Sequence, residues 1–126
     1  MTNATFVEDY NAIVDVLNKY NGGCARADSR TMKPEFSEQV TIFGIDEGKL
    51  SGGPIEDLFT AIDTVFRPSP EARAAIVRVD IVGTAASARV DSDNVSGDRF
   101  TDFLHLLKID GKWTVFSKIY HTHPSA

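Results

Sequence analysis

A single cysteine, Cys24, leaves the chain unable to form an internal disulfide, so a reducing cytoplasm is the expected home. No apolar run approaches the roughly 20 residues that a membrane helix needs. The opening Met1-Thr2-Asn3-Ala4-Thr5 lacks a basic stretch followed by an apolar one, so no secretory leader is expected. Positive charge is also scarce: 13 Lys and Arg against 18 Asp and Glu give a net charge of −5. A broad nucleic-acid surface needs the opposite balance, because phosphate neutralisation supplies its affinity. What the sequence does have is apolar bulk, with 42% hydrophobic residues among 126, including eight Phe. That is enough for one packed core. Residues 1–126 are read as a single domain with no membrane or nucleic-acid partner.

Helix signals crowd the first half. Thr5 and Glu8 have the spacing of a capping box. Phe6, Tyr10, Ile13, Leu17 and Tyr20 then recur at steps of four and three, predicting a helix that Gly22-Gly23 ends. Asp28 suits the N-cap of a second, shorter helix, broken by Pro34 near Lys33. Residues Gln39 to Ile45 are rich in β-branched and aromatic side chains and predict a strand, turned back by Glu47-Gly48. Pro54 opens a third helix that buries Ile55, Leu58, Phe59, Ile62 and Val65 or Phe66, and Arg67-Pro68-Ser69-Pro70 stops it.

The second half reads as strands over Ala74–Val82, Ala85–Asp91, Arg99–Ile109 and Lys112–His121. Alternation sets Ala75, Val77, Val79 and Ile81 on one face of the first of these. Asp110-Gly111 closes the last two as a hairpin. Helices segregated ahead of an antiparallel sheet predict an α+β fold, with three helices packed on a curved, mostly antiparallel sheet. The concave side of such a sheet becomes either core or pocket.

Three stretches carry a resemblance to a known superfamily. They are Tyr20-x-x-Gly23-x-x-x-x-Asp28 followed by Phe36, the strand Thr41-Ile42-Phe43-Gly44, and the run from Phe100 to Trp113 continued by Val115, Lys118 and Tyr120. Together they resemble the nuclear transport factor 2-like superfamily, nearest the group labelled "putative lumazine-binding", beside SnoaL-like cyclases and ketosteroid isomerases. The resemblance implies a cone-shaped domain with a cavity at its wide end and a homodimer formed through the sheet's outer face. It does not name a reaction, since fold and function are separable.

Two residues stand out as catalytic candidates. Tyr20 takes the place where isomerase-like members carry a phenol that donates to a substrate oxyanion; its other reading is a plain member of the apolar stripe. His105 lies between Phe103 and Leu107 on one strand face. By the resemblance it takes the place of a second oxyanion donor, elsewhere a protonated aspartic acid, and an imidazole there can donate or exchange a proton. Its other reading is a core histidine satisfied by a backbone carbonyl. The strand position where those enzymes hold a general-base aspartate falls at Gly44, with Asp46 two residues on at the strand's end, where it solvates the turn.

The register of the last hairpin decides Lys118. A two-residue turn pairs Ile109 with Lys112 and sets His105, Phe116, Lys118 and Tyr120 on one face, with Asp102 turned away. A three-residue turn with a bulge sets Asp102 against Lys118 as a cross-strand ion pair. His121 and His123 offer two ligands but no third, so no metal is expected. Cys24 is read as a small buried filler, and no cofactor is implied.

The expected function is binding of a small hydrophobic or aromatic ligand in a cavity lined by Phe43, Phe59, His105, Phe116, Lys118 and Tyr120, roofed by Tyr20. The alternative is a cofactor-free isomerase, dehydratase or cyclase that uses His105 and Tyr20. A third reading is purely structural, with Leu104, Leu106, Trp113, Val115 and Ile119 forming the sheet's outer contact surface and the interior closed.

Overall fold

Asp9 fixes how the first helix lies on the sheet. Its carboxylate accepts hydrogen bonds from the Trp113 indole at 3.0 Å and from Lys108 Nζ at 2.9 Å. The Lys108 bond, then the Trp113 bond, hold this carboxyl below the ordinary aspartate range. A computed structural model describes residues 5–124. Helix α1 spans Phe6–Arg26 and is followed by a single 3-10 turn at Lys33–Glu35. Then come β1 (Phe36–Asp46), β2 (Lys49–Pro54), α2 (Ile55–Thr64), β3 (Arg73–Val82), β4 (Ala85–Val95), β5 (Asp98–Ile109) and β6 (Lys112–His123). The strands form one curved, unclosed sheet in the order β2-β1-β6-β5-β4-β3. Every neighbouring pair is antiparallel except β1 and β6, which run parallel. No helix among the described residues is long and apolar enough to cross a membrane.

The fold is α+β as expected, but with two helices rather than three. The segment after Asp28 forms turns because its polar groups are used locally. Asp28 accepts from the Arg30 backbone N–H at 3.0 Å, and the fully buried Ser29 donates its N–H and hydroxyl to Asp63 at 2.8 and 2.7 Å. Such side-chain bonds compete with the helical ladder. Helix α1, in turn, runs through Gly22-Gly23 and ends at Ala27, which adopts the left-handed conformation (φ 56°). Gly23 serves close approach, since a Cβ there would lie 2.6 Å from the Met32 side chain and 2.8 Å from the Asp28 carbonyl. The Thr5–Glu8 capping box is also absent: Thr5 donates its hydroxyl to Asp9 at 3.0 Å instead of capping the backbone.

Three hairpins turn on residue pairs with positive φ, Glu47-Gly48 (50° and 78°), Ser96-Gly97 (50° and 84°) and Asp110-Gly111 (49° and 79°), matching the twist of their strands. The first joins β1 to β2, a strand the sequence reading did not separate from the turn. Ile109 pairs with Lys112 as a two-residue turn demands.

The bulge in β6 lies farther on. His105 pairs with Ser117 and Leu106 with Val115, so Phe116 is the extra residue. Leu104, Leu106, Trp113 and Val115 are therefore buried beneath the helices, the reverse of the outer surface assigned to them from sequence. Phe103, His105, Leu107 and Ile119 occupy the open face. β3 repeats the device. Its register slips between Ile76 and Arg78, so Ile76, Val79 and Ile81 pack on the core while Val77 is exposed. In both strands each face carries apolar residues, and alternation alone cannot say which one is inside.

β1 runs close beside β6 at Gly44, whose partner is Tyr120. A Cβ at Gly44 would lie 2.6 Å from the Tyr120 carbonyl oxygen and 2.7 Å from its ring. Gly44→Ala is therefore expected to destabilise the protein by about 1–3 kcal/mol through overpacking. Urea unfolding checks this; a midpoint equal to the wild type would show that the ring has spare room.

Candidate functional site

A pocket of about 710 Å³ opens between the C-terminal half of α1, α2 and the helical face of the sheet. Its apolar walls include Leu58, Phe66 and Phe100, the last two stacked with ring centroids 6.2 Å apart. Tyr20 reaches the pocket because it continues the buried stripe of Ile13, Val16 and Leu17 by one more turn. Asp102 is phased with Leu104 and Leu106 on β5, and Lys118 opposes Leu104 on β6, so both charged residues turn under the helices.

There they form one network with Tyr20. The phenol donates to Asp102 Oδ2 at 2.7 Å, and Lys118 Nζ donates to the same phenol oxygen at 2.5 Å. Lys118 Nζ lies 3.9 Å from Asp102 Oδ1 and 4.7 Å from the centroid of the Tyr20 ring. All three residues are at most 5% exposed. Burying a lone ammonium or carboxylate costs several kcal/mol, so each charge is tolerated here only because the other is present. Burial, then the Asp102 charge, push the Tyr20 hydroxyl well above the usual tyrosine value. Cys24 also lines the pocket; burial raises its thiol to about 11 against the opposing pull of Lys118, which keeps it protonated and inert.

A second polar group stands on the same wall. Tyr120 donates its hydroxyl to Asp46 Oδ2 at 2.8 Å, and Thr122 donates to Asp46 Oδ1 at 3.4 Å. Asp46 thus faces the pocket, correcting its sequence reading as a solvated turn residue. Both of its side-chain partners are hydroxyls, and no ion pair involves it among the described residues. The Tyr120 hydroxyl is itself raised, first by burial.

Of the residues singled out from sequence, the structure brings Tyr20, Lys118 and Tyr120 together in this pocket. His105 is a correction. It lies on the opposite face of the sheet, exposed, with Nδ1 3.1 Å from the Ser117 hydroxyl. Phe43 is likewise on the open face, 38% exposed. Phe59 packs edge-on against Phe36 at 5.8 Å, outside the pocket lining, and Phe116 sits at the bulge. Asp102 was missed as a pocket residue, although its phase with Leu104 and Leu106 was available as a signal. Asp102 and Lys118 combine the two registers considered: the turn has two residues, yet the pair still meets because the bulge lies inside β6. Among the described residues no three His, Cys, Asp or Glu side chains converge to hold a metal.

Comparison with known proteins agrees with this architecture. Residues 8–121 match the family described as "putative lumazine-binding". A crystal structure of an NTF2-like protein of unknown function from Shewanella baltica OS155 is 67% identical, with a TM-score of 0.95 over 98% of this chain and 100% of that one. A protein named Aldolase FrzH, from Cladobotryum sp, is 32% identical over 120 residues, covering 92% of this chain and 93% of that protein. A structure described as a "putative scytalone dehydratase" from Novosphingobium aromaticivorans shares the fold, with a TM-score of 0.72 at 17% identity over 95% of this chain and 87% of that one. With its helical face, its bulged sheet and its family match all in accord, this chain belongs to the "putative lumazine-binding" family of the NTF2-like superfamily.

Proposed function

We propose that the pocket receives a small, largely apolar molecule carrying a carbonyl oxygen, which Lys118 and Tyr20 hold. The observation that carries this reading is the buried Lys118–Tyr20–Asp102 network on the pocket wall. Apolar walls with a few convergent polar groups are the usual composition of a small-molecule site. An ammonium and a phenol side by side also suit an oxygen that becomes negative, because a water-poor site strengthens such contacts.

A second reading adds chemistry to binding. Asp46 presents a carboxylate free of any ion pair among the described residues, while Asp102 is compensated by Lys118. In aldol addition, its reversal, or dehydration, a base exchanges a proton at the carbon beside a carbonyl while donors hold the oxygen. Asp46 fits the first role, and Lys118 with Tyr20 the second. The relative named an aldolase supports this reading. No cofactor is needed for it. We also propose a homodimer formed through the open face, where Phe43 and Phe103 both pair with Ile119.

A panel of aromatic ketones and pterin-like compounds, screened by thermal shift and for conversion, tests both readings. Replacing the whole network together, Tyr20→Phe with Asp102→Leu and Lys118→Met, should leave the fold near wild-type stability, because well-packed apolar groups often replace buried ionic networks at little cost. The affinity of a ketone that binds the wild type should then fall roughly tenfold or more. Unchanged affinity would remove the network from ligand binding. Asp46→Asn should abolish any conversion while leaving binding intact, and conversion at the wild-type rate would rule out Asp46 as the base. His105→Ala should alter neither binding nor turnover in the same assays. Ile119→Asp is expected to yield a monomer by sedimentation velocity, and a wild type that already sediments as a monomer would overturn the dimer.

A further inference from the structure

Lys118 is the lysine that lines the pocket, and its nitrogen is already joined to a proton path. The ammonium donates to the Tyr20 oxygen, and the Tyr20 hydroxyl donates to Asp102, so a lysine proton has a continuous route to the carboxylate. The ammonium and carboxylate lie only 3.9 Å apart. An ion pair that served stability alone would have no need of a pocket, since apolar residues of similar volume commonly do as well. Here the pair forms part of a pocket wall.

From this arrangement we infer that Lys118 forms a covalent imine with a ketone or aldehyde bound in the pocket. This inference rests on the carbonyl-binding reading and makes its contact covalent. The step balances without an added oxidant or reductant. Lys118 gives one proton through Tyr20 to Asp102 and becomes a neutral amine. The nitrogen lone pair attacks the carbonyl carbon, forming the C–N bond, and the C=O π electrons move to oxygen. That oxygen takes the proton released as nitrogen loses its surplus charge, giving a neutral carbinolamine. Asp102 returns its proton through Tyr20 to the hydroxyl, the C–O bond breaks, and water leaves. The sum is ammonium plus carbonyl giving iminium plus water.

Charge placement favours the product. The positive charge stays on the same nitrogen, beside the same carboxylate, before and after the reaction. The iminium therefore inherits the compensation that the ammonium had, with no new buried charge to stabilise. An iminium also withdraws electrons from the neighbouring carbon, which makes its proton easier for Asp46 to take.

The test uses the whole protein with cyclohexanone as probe and cyanoborohydride at neutral pH to reduce any imine to a stable amine. Peptide mapping by mass spectrometry reads the site. The expected result is an adduct concentrated on the Lys118 peptide over the peptides of the exposed lysines. It should be lost in Lys118→Arg, which keeps the cation, and diminished in Tyr20→Phe, which breaks the proton path. Mapping the wild type stands alone should Lys118→Arg fail to fold. If cyclohexanone raises the melting temperature yet Lys118 stays unmodified, or is modified no more than exposed lysines, the imine is overturned and carbonyl binding survives. If there is neither a melting shift nor an adduct on Lys118 with any ketone of the panel, both fall.

Discussion

One extra residue in the last strand sets the phase of everything in the pocket. Up to Val115, the odd positions of β6 face the helices, and Trp113 and Val115 are buried there. Beyond the bulge at Phe116 the even positions take over, so Lys118, Tyr120 and Thr122 line the pocket. An uninterrupted strand would have sent Ser117 and Ile119 inward and left the lysine in water. The same register shift places Lys118 opposite Leu104, where Asp102 and Tyr20 are within reach. Core and site thus share a strand, and the bulge is the hinge between the two uses.

The pocket's polarity has two distinct forms. Around Lys118 and Asp102 the charges cancel within one hydrogen-bonded group, and Tyr20 occupies the middle of it. Around Asp46 the partners are hydroxyls, which solvate a carboxylate without neutralising it. The ligand proposed above would meet a compensated cation on one side and an open carboxylate on the other. That asymmetry is what a reaction at the carbon beside a carbonyl requires, because oxygen and carbon must be handled by groups of opposite character.

Much of the fold was legible in the sequence, and the reasons are local. The stripe from Ile13 to Tyr20 spells a helix, and Asp110-Gly111 spells a tight hairpin, because each depends on neighbours a few residues away. The resemblance carried by Tyr20, Phe43-Gly44 and the run to Trp113 led to the right family. Sidedness was less accessible. β5 holds Leu104 and Leu106 on one face against Phe103 and Leu107 on the other, so its apolar content favours neither. His105 followed the wrong choice, and Asp102 was lost with it. A glycine can mark an ending or a contact, and Gly23 does the latter beside Met32, which only the tertiary structure reveals. Tyr20 falls on the buried stripe its spacing predicts, because the apolar residues of α1 favour one side of the helix.

The contact between Gly44 and Tyr120 limits what the first strand can carry. A Cβ at 44 would meet both the backbone oxygen and the ring of Tyr120, so this strand-to-strand spacing admits only glycine there. The next inward-facing place along the strand holds Asp46, the carboxylate that accepts from the Tyr120 hydroxyl. A side chain at 44 would therefore need a wider spacing between β1 and β6 there, whatever residue stands at 120.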